Sequence, residues 1–458
     1  MQYTLQKLLL NTLKENNISL DGMISQCYDG ATVMSGCEGG ITVLIRNELK
    51  RPIPYIHCFN HQYHLIVIHL VKLIPDVSRY FDHCRLIHKI FSHFKFKKYY
   101  EGKRTSRLLE QQWSGHLKVT EVIYNNYGLM IESLNNVIKN DAKEFDGDSI
   151  VESTGLLIVM RSKKFVFILC TMLRLLRLIE PADKAFQSRE SSLSSVFPLI
   201  SSVFSSMKDY RSDEKHETIL KDCNDLLALN QNDGLEVVVN ADEPSLAGPS
   251  SLRSSKRKLK SNSLYNNFIL TESSGLYYCE DDKQQQHSHY CKDIYFEIFD
   301  TVINEMNERF FENQSLYDLI DRASNFDFEN INLNTFKEIN ENFPIPCAEE
   351  LHCVKNYFKE NNVTKNNYLK SLYEQRTAFK VTYQFYATIQ VFACSSAVCE
   401  ASLSSLSRVD TPFGQSMLFN READLTILPF ERKKTEAIDP DVFLRLFNSS
   451  KNRKLQLF

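Results

Sequence analysis

The chain has 458 residues, a formal net charge of −3, 43% hydrophobic residues and 24% charged ones. That length exceeds one ordinary core, so two or more packed units are expected, and the charge excludes a polycation that coats nucleic acid over its whole surface. Only 14 glycines and 12 prolines favour long helices over a turn-rich β architecture, and 12 scattered cysteines read as reduced thiols of the cytosol or nucleus.

The opening "MQYTLQKLLLNTLKENN" has amphipathic spacing rather than the apolar block of a secretory leader, and predicts a helix over Leu5 to Lys14. A short strand then runs into Asp29 and a helix follows from Gly40 to Leu49, stopping before Pro52. "PYIHC" reads as a second strand and "HQYHLIVIHLVKLI" as a mostly buried helix. From Asp76 to Lys221 nearly everything reads as helix. The most apolar run, from Phe165, contains Arg174 and Arg177 and is too short to span a bilayer. Its Phe165, Ile168, Leu169, Met172, Leu176 and Ile179 make a core-facing stripe, and Pro198 is expected to interrupt the next helix. Between Asn230 and Asn262 the composition turns to Ser, Asn, Pro and charge, which reads as a disordered linker. Helix is expected to resume near Tyr290, where Tyr295, Phe299, Val302, Met306 and Phe310 share one face. A last helix is predicted over Ser395 to Arg408, with a looser tail to Phe458, and there is no internal repeat.

Chemistry-bearing residues are sparse. Cys58 and His61 have C-x-x-H spacing in "YIHCFNHQYH", a zinc-ligand pattern that lacks a second pair, since Cys84 and His88 have no independent support. The alternative is a strand end with Cys58 buried and the histidines bonded to backbone. Asp29 precedes Gly30, the composition of a turn, and Glu400 alone is an ordinary solvated helix position. Trp113, the only tryptophan, reads as a core anchor. Lys256, Arg257, Lys258 and Lys260 lie inside the linker, where four cations suit a nuclear-import groove, a phosphate backbone or simple solubility. No phosphate-cradling glycine loop or nucleophile elbow occurs.

Three stretches carry a resemblance when taken in succession. The first is "YDGATVMSG" (Tyr28 to Gly36), then Gly40, "YIHCFNH" (Tyr55 to His61) and Leu65. The second is "SSAVCEASLSSLSR" (Ser395 to Arg408), followed by Thr411, Ser416, Met417 and Arg421. The third is "IDPDVFLRLF" with Arg453. Their order resembles the hAT family of cut-and-paste transposases and the host proteins derived from them, nearest to the MYM-type zinc-finger and TTF-type-domain branch.

The resemblance implies a mostly α fold with a small α/β part, namely a partial RNase H-like fold interrupted by a large all-helical insertion. It divides the chain into a partial RNase H-like core (1–60), the first part of the insertion (61–229), a disordered basic linker (230–265), the second part (266–345) and a C-terminal dimerisation region returning to the core (346–458). In the family three carboxylates hold two divalent cations that activate water or a 3′-hydroxyl. By resemblance Asp29 takes the second acidic position and Glu400 the third, so both would be catalytic and metal-binding, with Mg²⁺ the cofactor of an active enzyme. Cys58 and His61 match the family's C-x-x-H, whose histidine lies near the cleavage site, and Trp113 matches the Trp of an Arg-Trp pair that handles flanking DNA.

Departures point to decay. The first aspartate and the leading strands are expected upstream of the helix beginning near Leu5, and Asp21, in a loop, does not substitute. Gln112 stands where the pair has Arg, and Ala401, Ser402 and Leu403 stand where the family has Arg, Ser and Phe. Pro412 and Gly414 interrupt a normally regular segment, and no zinc-finger domain precedes the remnant. The expectation is a nuclear, transposase-derived protein without catalytic activity that dimerises with itself or related hAT proteins, has DNA as a further partner through Trp113, Cys58 and the Lys256–Lys260 cluster, and does not enter membranes. The alternatives are an active transposase or nuclease whose first aspartate is missing from this gene model, and a helical protein-interaction module.

Overall fold

The structure, a computed structural model, describes residues 2–108, 113–140, 145, 147–188, 191–229, 280–311, 315–324, 332–364, 367–411 and 417–449. The linker expected over 230–265, with Lys256, Arg257, Lys258 and Lys260, lies outside them, as do Gln112, Pro412, Gly414 and Arg453. The described residues are mostly helical, with one sheet of two parallel strands, β1 (Gln26–Tyr28) and β2 (Tyr55–His57). Their register pairs Gln26 with Tyr55, Cys27 with Ile56 and Tyr28 with His57.

Parallel neighbours need a crossover, and here the helices Thr32–Ser35 and Ile41–Leu49 supply it. The bend between them is closed by Gly36 N–H donating to Thr32 O and Gly40 N–H to Gly36 O, both at 2.9 Å. A Cβ on Gly40 would fall 2.5 Å from the Gly36 nitrogen, so only glycine lets the two backbones approach this closely. The crossover is fastened back to the sheet by Gln26 Nε2 donating to Thr42 O (3.3 Å) and Arg46 Nε to Ile53 O (2.6 Å). The first helix, Gln2–Glu15, leans on it through Gln6 Nε2 and Leu44 O.

β2 feeds directly into Phe59–Leu73, and Pro75, pre-set for a first helical turn, starts Pro75–Ser92. The near-continuous helix expected from Asp76 breaks next: a 3₁₀ turn covers Phe94–Lys98 and residues 99–108 are irregular. That stretch is held by side chains instead of a ladder, with Tyr100 Oη donating to Lys103 O (2.7 Å) and His88 Nδ1 against Thr105 O (2.8 Å).

Lys163–Phe186 is the centre of the fold and packs against Trp113–Asn125, Leu193–Tyr210 and Asp213–Ala228. All six residues of its expected stripe are buried, and so are Phe167, Cys170 and Leu173 on other sides, which makes it apolar nearly all round. Arg174 pairs with Asp222, and Arg177 with Glu121 at 3.0 Å, so the charges that interrupt the apolar run join this helix to two neighbours. No helix among the described residues is long and apolar enough to cross a membrane.

Pro198 does not interrupt its helix, which runs unbroken over Leu193–Tyr210. Proline forfeits the bond to the carbonyl four residues back. Here the Ser192–Ser195 capping box fixes the start, and Val196, Ile200, Val203 and Met207 are buried, which together outweigh that loss. Two further helices overrun their expected ends, Asp213–Ala228 past Lys221 and Glu280–Phe310 before Tyr290. The face expected from Tyr295 to Phe310 is fully buried. One continuous cluster of buried side chains runs from Ile24 to Cys394. The described residues of the expected looser tail are helical instead, as Phe419–Phe430, Arg432–Glu436 and Pro440–Ser449.

Asp76 ties three elements together. Its carboxylate takes Lys164 Nζ at 2.7 Å, Arg79 at 2.9 Å and the Tyr290 hydroxyl. Burial opposes its charge, but Lys164 and Tyr290 outweigh burial and lower its pKa. A lowered acid contributes stability above the unfolded value, about 3.9, and loses it as pH falls through the folded value. Asp76→Asn should therefore cost about 1–3 kcal/mol at pH 7, with the gap from wild type closing below pH of about 4. Denaturant midpoints measured across pH for both proteins check this.

Candidate functional site

β1 and β2 end side by side, and pairing continues one step further as Cys58 N–H donates to Tyr28 O at 2.8 Å. Alternation sorts the strand ends onto two faces. Tyr28, Tyr55 and His57 line one, with ring centroids 6.4 Å apart for Tyr28 and Tyr55 and 6.2 Å for Tyr55 and His57. Cys27, Ile56 and Cys58 belong to the other. Burial pushes the Tyr28 and Tyr55 hydroxyls up to about 12.

Asp29 is exposed, and its Oδ1 accepts from Ala31 N–H at 3.3 Å, an Asx turn. Tyr55 Oη donates to its carbonyl at 3.0 Å. The sequence reading of Asp29 as a turn residue thus describes its local conformation. Beyond it, the His57 ring lies where a side chain on residue 30 would stand: a Cβ on Gly30 would meet His57 Cε1 at 2.6 Å. His57 Nε2 is buried without a hydrogen-bond partner, and the ring lies 5.5 Å from that of His61. Burial lowers its pKa to about 4, helped by His61 and Arg309 and opposed by Asp29. At neutral pH His57 is an uncharged imidazole.

Cys58 is where distant parts of the chain meet. It is fully buried, as expected of a strand end, but the neighbouring His57 does not hydrogen-bond to backbone through Nε2 as that reading supposed. Its Sγ accepts from Ser396 N–H at 3.2 Å and lies 3.9 Å from Ser395 Oγ, while Phe59 N–H donates to Cys394 O at 2.8 Å. The neighbouring Cys27 thiol, against burial and with Ser396, lowers the Cys58 pKa to about 5. The same neighbourhood raises that of Cys27. Ser396 is also the N-cap of the Ala397–Val409 helix, and its Oγ donates to Glu400 Oε1 at 3.3 Å. Glu400 is exposed in the first turn of that helix.

The loop carrying Asp29 and the turn carrying Glu400 are therefore both tied to one residue, Cys58, through Tyr28 O and Ser396 N. Chemically two carboxylates suit a hard divalent cation such as Mg²⁺. As placed they do not form a ligand set: each takes a local hydrogen bond, and among the described residues no group of three or more His, Cys, Asp or Glu side chains could hold a metal ion. No metal-dependent step is derived. A zinc pair of Cys58 and His61 fares no better, because the Cys58 sulfur accepts from Ser396 N–H, and the suggested second pair lies elsewhere, with His88 on Thr105. Trp113 opens the Trp113–Asn125 helix, and its side chain lies outside the described residues.

Sequence reasoning took His57 only as a histidine beside Cys58 and Gly30 only as part of a turn, and it passed over Cys27 and Ser396. Strand alternation in "YIHC" would have separated His57 from Cys58, but the approach of Gly30 to the imidazole leaves no local signal. The chain matches no family model and no curated protein.

Gly30→Ala should force the imidazole aside and cost about 1–3 kcal/mol, as overpacking does. In a His57→Ala background the same substitution should be nearly neutral. Thermal unfolding of the four proteins of this cycle measures the coupling.

Proposed function

We propose that this chain is a hAT transposase-derived protein without catalytic activity, which works in the nucleus as a self-associating module. Its paired strands belong to an RNase H-like remnant, and nucleic acid is a further partner. The observation that carries the reading is the contrast in burial across Cys394. Of the described residues after Cys394, only Ala397 and Ser405 are buried. Leu403 is 62% exposed, Leu418 79%, Phe443 56% and Leu446 64%. Phe443 and Phe447, one turn apart, stack at 6.1 Å on the same side of the last described helix as Phe443's exposed surface.

Magnitudes favour a partner for this surface. Burying one such side chain contributes roughly 2 kcal/mol, and association costs roughly 4–15 kcal/mol. One or two anchors would not suffice, whereas the apolar residues along Ala397–Val409, Phe419–Phe430 and Pro440–Ser449 do. The parallel strands with their helical crossover, and the return of the chain at Cys394 to the end of β2, support the RNase H-like assignment. Ala401, Ser402 and Leu403 after Glu400 support loss of catalysis.

Sedimentation of the full chain at micromolar concentration should give a dimer. The double variant Phe443→Glu, Leu446→Glu should be a monomer with unchanged helicity. A wild-type monomer overturns the reading.

The retained Asp29 and Glu400 favour one other reading, an active Mg²⁺-dependent transposase or nuclease. Supercoiled plasmid incubated with the chain and Mg²⁺ should show no nicking above background, and Asp29→Asn should leave that result unchanged. Nicking that Asp29→Asn abolishes establishes the active enzyme instead.

A further inference from the structure

The stretch 93–107 concentrates positive charge in a chain whose net charge is −3. It holds Lys95, Lys97, Lys98, Lys103, Arg104 and Arg107 against the single acid Glu101. Its course is fixed from within. Phe96, Tyr100 and Thr105 are buried, and the rings of Phe96 and Tyr100 pack on Phe91 with centroids 5.5 and 4.8 Å away. Ser133 Oγ, from the Tyr127–Asn140 helix, donates to Tyr99 O at 2.8 Å. Tyr100 Oη donates to Lys103 O at 2.7 Å, and His88 Nδ1 lies 2.8 Å from Thr105 O. A Cβ on Gly102 would meet the Tyr100 ring at 2.6 Å, so the glycine lets that ring close over the loop.

Between these anchors Lys103, Arg104 and Arg107 are exposed, and none of the three pairs with a carboxylate among the described residues. Lys95 lies over the Phe145 ring at 5.6 Å and Lys98 over the Tyr99 ring at 5.2 Å, so those two are already engaged. We propose that Lys103, Arg104 and Arg107 form a preordered cationic edge on the helical body that binds the phosphate backbone of duplex DNA. The proposal deepens the nucleic-acid partner of the proposed function and rests on it. It moves the contact from the Lys256–Lys260 cluster to a folded part of the chain.

The chemistry of the edge selects this partner. Unpaired cations gain affinity by releasing the counterions condensed on a polyphosphate, with no need to read bases. Lys103 to Arg107 is four residue steps, a reach of at most about 14 Å. One strand of a duplex carries a charge about every 3.4 Å along the axis, so the three cations fall within reach of successive phosphates. The rings of the stretch are used inward, with Phe96 and Tyr100 buried and Tyr99 half-buried. That leaves no platform for stacking unpaired bases, which favours a duplex over a single strand. A loop charged only for solubility has no need of a fixed course, whereas a bound loop that is already ordered loses less entropy.

The test is fluorescence anisotropy of the full chain with a labelled mixed-sequence duplex, over salt from about 50 to 200 mM. The triple variant Lys103→Gln, Arg104→Gln, Arg107→Gln should bind at least about tenfold more weakly at the lowest salt, with a salt slope shallower by about 3. The charge-conserving variant Lys103→Arg, Arg104→Lys, Arg107→Lys should keep the wild-type affinity and slope, because phosphates read the charge. Each single glutamine variant should lower the slope by about 1, and these carry the test if circular dichroism shows the triple variant misfolded. Duplex binding that the glutamine variants leave unchanged overturns this proposal alone. Loss of binding in Lys256→Gln, Arg257→Gln, Lys258→Gln, Lys260→Gln would then locate the contact in that cluster, with the nucleic-acid reading intact. Wild type that binds no duplex at low salt overturns both. Tighter binding of a single strand, or equal competition by polyglutamate, overturns duplex DNA as the partner.

Discussion

The amide of Phe59 bonds to the carbonyl of Cys394, and the amide of Ser396 bonds to the sulfur of Cys58. The second of these contacts joins residues 338 positions apart. Without them the two short strands would rest on their crossover helices and on the packing of Ile56 and Phe59, and a sheet of two three-residue strands is too small to persist alone. With them, the end of β2 becomes a joint between the first sixty residues and the last helices. Closing a loop this long adds little entropic cost over a shorter one, because that cost grows only logarithmically. Whether the joint holds is decided by the burial around it, which includes Ile56, Phe59 and Phe392.

That burial comes from the helical body. Phe59 packs edge-on against Phe186, Phe310 and Tyr317, which belong to three other helices. The central Lys163–Phe186 helix thus reaches the candidate site through its last residue. Glu305, itself buried, takes both His69 and Arg309, and joins the helix after β2 to the long Glu280–Phe310 helix. Arg309 in turn lies near enough to His57 to disfavour its protonation. Burial and the nearby His61 keep His57 neutral first of all, and Arg309, far along the chain, adds to them.

A functional asymmetry follows. Up to Cys394 the described chain buries most of its large apolar residues within itself; after it, Leu403, Leu418, Phe443 and Leu446 are presented outward. Exposed apolar residues are ordinary singly, but a run of them over successive helices marks an interaction surface. The surface of the proposed dimer begins at the turn from Ser396 to Glu400, where the buried and exposed parts of the molecule join. Asp29 and Glu400, the acids that carry the family resemblance, border the same joint with local hydrogen-bonding roles of their own.

The sequence by itself determined the helical body. The stripes from Phe165 to Ile179 and from Tyr295 to Phe310 are buried as their spacing requires, because helical periodicity is local and survives any arrangement of neighbours. It determined the two strands near Asp29 and Cys58, and the Asx turn that follows from an aspartate before glycine. It did not determine that Pro198 stays inside a helix, because the compensation comes from a cap and from packing. It gave no sign that Gly30 makes room for His57, or that Cys58 holds Ser396. Those contacts join residues with no common period, and only the folded chain, by excluding water from the end of β2, brings them within hydrogen-bonding distance.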